Sequence, residues 1–287
     1  MLDPQSWQHH TQGVAPGRKL RTNHDCGEGK TLLISNKAEG YSAWCFRCGE
    51  PGFIAHPALS LPERLALLTS LRSAEDEATA SLTLPTPQEF NPQAWPDAPR
   101  VWLYKAGLSN DDITRLGFYY CARLERVVMP LYRDGELIYW QARGFRKERA
   151  KYINPPVDRA TLCAKFPGRQ HHSVLVLTED ILSAYRVARL TTAWSMMGTE
   201  LPDAVAVDAV RLGVPIVLML DPDAGGRKGN ARISRKLRDM GGDVHVAHPT
   251  RDPKYLTVEG TRSCLLASVP KLEFLLPLSQ SPVLLPP

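Results

Sequence analysis

Two groups of residues in this chain have the types and spacing for chemistry. The first is acidic. Glu179, the pair Asp221 and Asp223, and Asp252 each follow a short apolar run rich in Val, Leu and Ile or the turn behind one. A spacing of two puts Asp221 and Asp223 on one side of an extended segment, so both can face one ion. Crowded carboxylates repel one another, and a bound cation relieves the repulsion. Hard Mg²⁺ or Mn²⁺ suits carboxylate oxygens and is commonly shared with substrate phosphates. The second group is His24-x-Cys26 and Cys45-x-x-Cys48. Four N and S donors in two tight pairs are the ligand set of one structural Zn²⁺. The first pair is one residue tighter than the usual gap, and His9 or His10 could supply the fourth ligand in place of His24, which is the choice made here.

The elements that must position these residues follow from pattern. Lys30–Ser35 and Tyr41–Trp44 read as strands around the turn at Glu39-Gly40, placing a ligand pair at either end of a hairpin. Ser60-Leu61-Pro62-Glu63 opens a helix with a capping box, and Leu61, Leu65, Leu67, Leu68 and Leu71 give it an apolar side. The stretch from Ser73 to Asp97, acidic and then proline-punctuated, reads as a flexible linker. Ala98–Leu116 reads as two helical pieces broken near Gly107, with Ser109 as a cap. Arg126–Tyr132 and Glu136–Arg143 form a hairpin across Asp134-Gly135. A basic run follows, with Arg143, Arg146, Lys147, Arg149 and Lys151 interleaved with Phe145 and Tyr152, a pattern suited to phosphate contact.

From 173 to 250 strand and helix alternate. Strands are expected at 174–177, 191–197, 214–220 and 243–247, and helices at 181–190, 202–212 and 227–240. That alternation predicts a parallel sheet with right-handed crossovers. Ligand sites in such sheets lie beyond the carboxyl ends of the strands, where the acids fall. The domains expected are 1–58, a zinc-binding ribbon; 59–97, helix and linker; 98–172, an α+β basic subdomain; 173–260, the α/β catalytic part; and 261–287, an apolar, proline-broken tail.

With 287 residues, a sizeable core is feasible. The net charge of +5 is compatible with a polyanionic partner without requiring one. No apolar run approaches the length of a membrane span and the start lacks signal-peptide form, so a cytoplasmic protein without membrane contact is expected. Its six cysteines are then ligands or core thiols, not disulfides.

Glu179 after a strand, Asp221-Pro222-Asp223-Ala224-Gly225-Gly226-Arg227-Lys228 and Asp252-Pro253 resemble the Toprim motif of primases and topoisomerases. Arg126–Tyr132, Gln141-x-Arg143 and Lys151-Tyr152-x-Asn154 resemble the basic half of the primase catalytic domain, and the zinc ribbon resembles the template-reading module of the same enzymes. From about His24 to Asp252 the order is that of DnaG-type primases, and the nearest likeness is to phage primases without a helicase half. The resemblance implies a β zinc ribbon joined to a Toprim-type α/β catalytic domain with an α+β basic subdomain. It implies synthesis of short RNA primers from ribonucleoside triphosphates on single-stranded DNA. Glu179, Asp221, Asp223 and Asp252 would be catalytic and hold magnesium; Arg143, Arg146, Lys151 and Lys228 would hold triphosphate or primer; Trp44, Phe46 and Arg47 would read the template.

The family usually has a second acid four residues after the Toprim glutamate, and Ser183 stands there, with Asp180 the neighbour that could compensate. No Walker-type loop occurs, so a replicative helicase or a DNA polymerase would be a separate chain, with the tail as its contact and the host cytoplasm as the setting if the protein is phage-encoded. A Toprim nuclease or topoisomerase-like enzyme, or a non-catalytic single-strand-binding adaptor, would share parts of the same pattern.

Overall fold

The computed structural model describes residues 1–37, 39–56, 60–168 and 174–269. They form two compact units: 1–102 with 116–130 and 139–155, and 103–115 with 131–138 and the chain from Pro156 on. The expected block 98–172 is thus divided between the two. None of the described helices is long and apolar enough to cross a membrane.

The first unit opens with an antiparallel sheet of β1 (Lys19–His24), β2 (Gly27–Lys37), β3 (Gly40–Cys45) and β4 (Glu50–Ala55), paired in that order. The expected hairpin is its centre. The flanking β1 and β4 were not expected, because Lys19-Leu20-Arg21-Thr22-Asn23-His24 carries almost no apolar signal and is a strand by virtue of its partner. Leu32, Ile34, Ala43 and Cys45 line the inner face and are covered by Leu2 and Trp7, the last fully buried. The turns β1–β2 and β3–β4 lie at one end of the sheet, since Cys45 pairs with Leu32 and His24 with Gly27.

The capping box forms as expected. Ser60 Oγ accepts from the N–H of Glu63 and the Glu63 carboxylate accepts from Ser60, opening α1 (Leu61–Ala78). Its buried side is Leu71, Ala74 and Ala78, while Leu61 and Leu65 are exposed, so the expected leucine face is used only at its far end. The stretch to Asp97 is not a free linker. Pro85 accepts a hydrogen bond from Tyr119 (2.8 Å), Glu89 pairs with Tyr120, and the fully buried Trp95 donates to the Glu89 carbonyl (2.9 Å). The strap is bound by aromatics that sit far away in sequence.

The second sheet of this region runs β5 (Tyr119–Cys121), β6 (Arg126–Arg133), β7 (Glu136–Gly144), β8 (Tyr152–Ile153), following α2 (Asp97–Lys105) and α3 (Asn110–Arg115). The β6–β7 turn has Asp134 and Gly135 at φ 52° and 81°, the left-handed pair that a two-residue hairpin demands. Arg126, with no side-chain exposure, is held by Glu75, which also receives Arg149 (2.6 Å), and by the carbonyls of Ala142 (3.3 Å) and Ala150 (2.8 Å).

The second unit carries β9 (Ala164–Phe166), β10 (Leu175–Thr178), β11 (Thr192–Ser195), β12 (Ile216–Leu218) and β13 (Val244–Val246) in the order β13-β12-β10-β11-β9. All pairings are parallel except that of β9, an antiparallel edge strand the pattern did not reveal. α4 (Ile181–Ala188), α5 (Asp203–Arg211) and α6 (Ala224–Asp239) connect the parallel strands, and Leu177, Leu218, Leu220, Ile233 and Leu237 are among the side chains in one core between sheet and helices. α7 (Val258–Ser268), capped by Thr257, occupies sequence expected to begin the tail; residues 270–287 of that tail lie outside the described residues. Around Asp112, Tyr185 donates to one carboxylate oxygen (2.6 Å), Ser109 N–H (2.9 Å) and Arg189 (3.2 Å) to the other, and Arg115 pairs with it.

Two outcomes test this scaffold. Glu75→Ala leaves the Arg126 guanidinium buried and unpaired, which is expected to lower stability by about 3–5 kcal/mol in urea denaturation. Burial raises the Asp112 pKa, but the bonds from Tyr185 and Ser109 and the Arg189 charge outweigh it and leave the pKa below its ordinary value. Its stabilisation is therefore present above the unfolded carboxyl pKa and lost as pH falls through the lower folded one. Thermal melts of Asp112→Asn should lose the part of the acid sensitivity below roughly pH 4 that the parent shows.

Candidate metal centres

The turns at one end of the ribbon bring His24, Cys26, Cys45 and Cys48 together, with one ligand atom from each lying within 4.8 Å of all the others. Cys26 Sγ is 3.6 Å from Cys45 Sγ, and Cys48 Sγ is 3.5 Å from His24 Nδ1. A tetrahedron of ~2.3 Å metal–sulfur bonds has edges of about 3.7 Å, so the donor set fits Zn²⁺. The thiols also behave as a group that wants a cation. Burial raises Cys45, yet the N–H groups of Cys48 and Arg47 and a bond from Cys26 hold it down to about 6. Cys48 is pushed up to about 12, chiefly by the hydrogen bond it shares with Cys26. His24 Nε2 lies 3.4 Å from Ser6 Oγ, a contact that orients the ring. His9 and His10 stack on each other (3.8 Å) and do not join the set.

Beside this centre, Trp44 is 41% and Phe46 55% exposed, and the Arg21 guanidinium lies over the Phe46 ring (4.8 Å). Phe53, 47% exposed, adds a third aromatic that the sequence did not single out; Phe53 pairs with Ser42, two residues from Trp44 on the same face of β3. Arg47 donates to the carbonyls of Glu28 (2.6 Å) and Cys26 (3.4 Å), so it ties the β1–β2 turn to the knuckle.

The acids lie at the ends of neighbouring strands. α4 leaves β10 toward β11 on one side, and α6 leaves β12 toward β13 on the other, which makes the gap between β10 and β12 the switch point of the sheet. Asp180, Asp221 and Asp252 each place a carboxylate oxygen there within 4.8 Å of the other two. Glu179 Oε1 accepts the Asp221 N–H (3.0 Å), an approach that needs Gly226, whose Cβ would stand 2.9 Å from that oxygen and 2.0 Å from the Asp221 carbonyl. Asp223 caps α6 by accepting from Gly226 (2.8 Å). Burial and the charges of Asp252, Glu179 and Asp180 push Asp221 up to about 7, against the pull of Lys254, and burial raises Glu179 as well. Asp221 Oδ1 is buried with no hydrogen-bond partner among the described residues. An orphaned buried carboxylate oxygen among oxygen donors fits a hard divalent cation.

Of the expected acids, the structure groups Asp221 and Asp252 directly and links Glu179 and Asp223 to the same strand ends. Two participants were missed. Asp180, expected only as a neighbour of Glu179 that could compensate for Ser183, caps α4 and receives Ser183 Oγ (2.6 Å), so the serine helps to position that acid. An Asp before an apolar helix was a readable cap signal. Lys254, buried beside Asp180 and Asp252, reads in sequence as an ordinary surface charge.

Among the expected phosphate contacts, Arg143 lies over Trp102 (5.7 Å), Phe145 (5.3 Å) and Tyr152 (5.3 Å), and its buried Nε has no acceptor among the described residues. Lys151 lies over Tyr152 (5.7 Å). Arg146 is bound on both sides by Glu125, one bond at 2.8 Å, and is therefore not a free cation. Lys228 is exposed on α6.

Cys45→Ser should release the metal. Zinc content by atomic absorption is expected to fall from one ion per chain to a small fraction, and unchanged zinc would overturn the tetrad as its site.

No protein-family model matches the chain, and no curated protein matches it. Solved structures similar to it include the zinc-binding and RNA polymerase domains of the Aquifex aeolicus primase, at 15% identity and TM-score 0.47, covering 88% of this chain and 79% of that one. The primase fragment of the bacteriophage T7 primase-helicase protein is similar at 14% identity and TM-score 0.46, covering 86% and 97%. A DnaG primase catalytic domain bound to single-stranded DNA is similar at 16% identity and TM-score 0.49, covering 71% and 80%. At these identities the chain resembles DnaG-type primases, and its chemistry is read from its own residues.

Proposed function

We infer that the chain is a DNA primase, a DNA-templated nucleotidyltransferase that joins ribonucleoside triphosphates into short primers on single-stranded DNA. The observation that carries this reading is the convergence of carboxylates, with the orphaned Asp221 oxygen, at the switch point of a parallel sheet. The His24–Cys48 tetrad and its exposed aromatics in the same chain favour polymerisation on a template over DNA cleavage.

In this reading a 3′-hydroxyl attacks an α-phosphate and pyrophosphate leaves. Divalent metal bound among Glu179, Asp221, Asp223 and Asp252 would neutralise the phosphates and lower the pKa of the attacking hydroxyl. Arg143 and Lys151 hold triphosphate or primer through charge-assisted hydrogen bonds. The rings around Arg143 fix its guanidinium with no carboxylate partner, and Nη1 donates to the Lys151 carbonyl (3.4 Å). Lys228 adds charge at the start of α6. Trp44 and Phe46 offer faces on which template bases stack, each worth about 1–3 kcal/mol. Arg47 shapes that surface by bracing the knuckle.

The test is to incubate the chain with single-stranded DNA, four ribonucleotides and Mg²⁺. Labelled oligoribonucleotides are expected, and Asp221→Ala should reduce them by ~100-fold or more while leaving DNA binding intact. DNA cleavage with no oligoribonucleotide on any template would sink the reading.

A further inference from the structure

The acidic site contains a cation of its own. Lys254 has only 9% of its side chain exposed, and its ammonium lies 3.2 Å from Asp180 Oδ2 and in direct contact with Asp252 Oδ2. The carboxylates it touches are two of the three that converge, so the closeness of Asp180 to Asp252 already has its counter-charge. The distribution of donors sharpens this. Asp180 Oδ1 accepts from the N–H groups of Leu182 (3.0 Å) and Ser183 (3.1 Å), and Oδ2 from Ser183 Oγ (2.6 Å) and from Lys254. A carboxylate offers about four lone-pair sites, and protein donors fill all of them in Asp180. Asp252 Oδ1 also accepts the Lys254 N–H (3.4 Å). On the other side of the gap the carboxylates are open. Asp221 Oδ1 has no partner among the described residues, and the hydrogen bonds to Glu179 and Asp223 come to one oxygen each, from Asp221 N and Gly226 N.

We propose that Lys254 is the resident cation of this site, standing where a second divalent ion would bind, so that the chain holds one divalent cation, centred on Asp221, and not two. The proposal rests on the reading that these acids hold a divalent cation at all. Lys254 is then a positioning residue. It keeps Asp252 and Asp180 in place beside the ion, and its fixed charge substitutes for part of what a second metal supplies. Ser183 belongs to the same device, because its hydroxyl completes the shell of Asp180 and closes that carboxylate to metal.

Manganese counting tests the idea without reference to activity. Free Mn²⁺ is followed by electron paramagnetic resonance during titration of the zinc-loaded full chain. One bound Mn²⁺ is expected for the parent, none for Asp221→Asn, and an unchanged single ion for Asp180→Asn, since Asp180 is not a ligand. Lys254→Met should gain a second ion or bind its single ion at least ~10-fold tighter. Two ions in the parent, loss of the ion in Asp180→Asn, or unaltered binding in a folded Lys254→Met would each overturn the role of Lys254. Should Lys254→Met fail to fold, the parent stoichiometry and Asp180→Asn decide by themselves. Failure of the underlying reading looks different: no Mn²⁺ bound by the parent, or undiminished binding by Asp221→Asn.

Discussion

Mutual repulsion among carboxylates at the ends of two adjacent parallel strands is the constraint on which this protein turns. The apolar runs of β10 and β12 are stable only when buried on both faces, and that burial fixes where the residues after them emerge. Glu179, Asp180 and Asp221 emerge into one gap, and Asp252 is returned to it by the turn beyond β13. Such an array persists only with cationic charge among the acids or with carboxyls raised in pKa, and both are present: Lys254 stands between two of them, and Asp221 is pushed up to about 7.

The ribbon solves a similar problem with softer donors. Its core is small, with Trp7, Leu32 and Ile34 as the largest buried side chains, and three thiols and an imidazole meet at one end of the sheet. A zinc ion held there would join turns that the core reaches poorly, and Arg47 adds a second tie by clasping the carbonyls of Cys26 and Glu28. The outer face is free to carry Trp44, Phe46 and Phe53 exposed.

The basic residues divide into those that build and those left to bind. Arg126 and Arg149 are consumed by Glu75, and Arg146 by Glu125, so two cations of the apparent charge run, with Arg126 before it, are structural. Arg143 is of another kind, with rings on several sides in place of a carboxylate. A buried ion pair has satisfied its charge, whereas the Arg143 guanidinium is held by rings and by the Lys151 carbonyl (3.4 Å) with no carboxylate against it.

Local pattern was enough for much of this. The alternation of apolar runs and helices from 174 to 247, the capping box at Ser60 and Glu63, the hairpin across Asp134-Gly135 and the two ligand pairs were legible because each is set by neighbours within a few residues. The strands β1 and β4, the bound strap at 85–95 and the edge strand β9 were not legible, because each depends on a partner distant in sequence. The acidic site shows the division within a single motif. The residue order alone placed Glu179, Asp221, Asp223 and Asp252 at strand ends. Only the tertiary structure brought Asp180 into the gap, turned Asp223 into a helix cap and set the Lys254 ammonium between two carboxylates, because charge, unlike periodicity, acts through space.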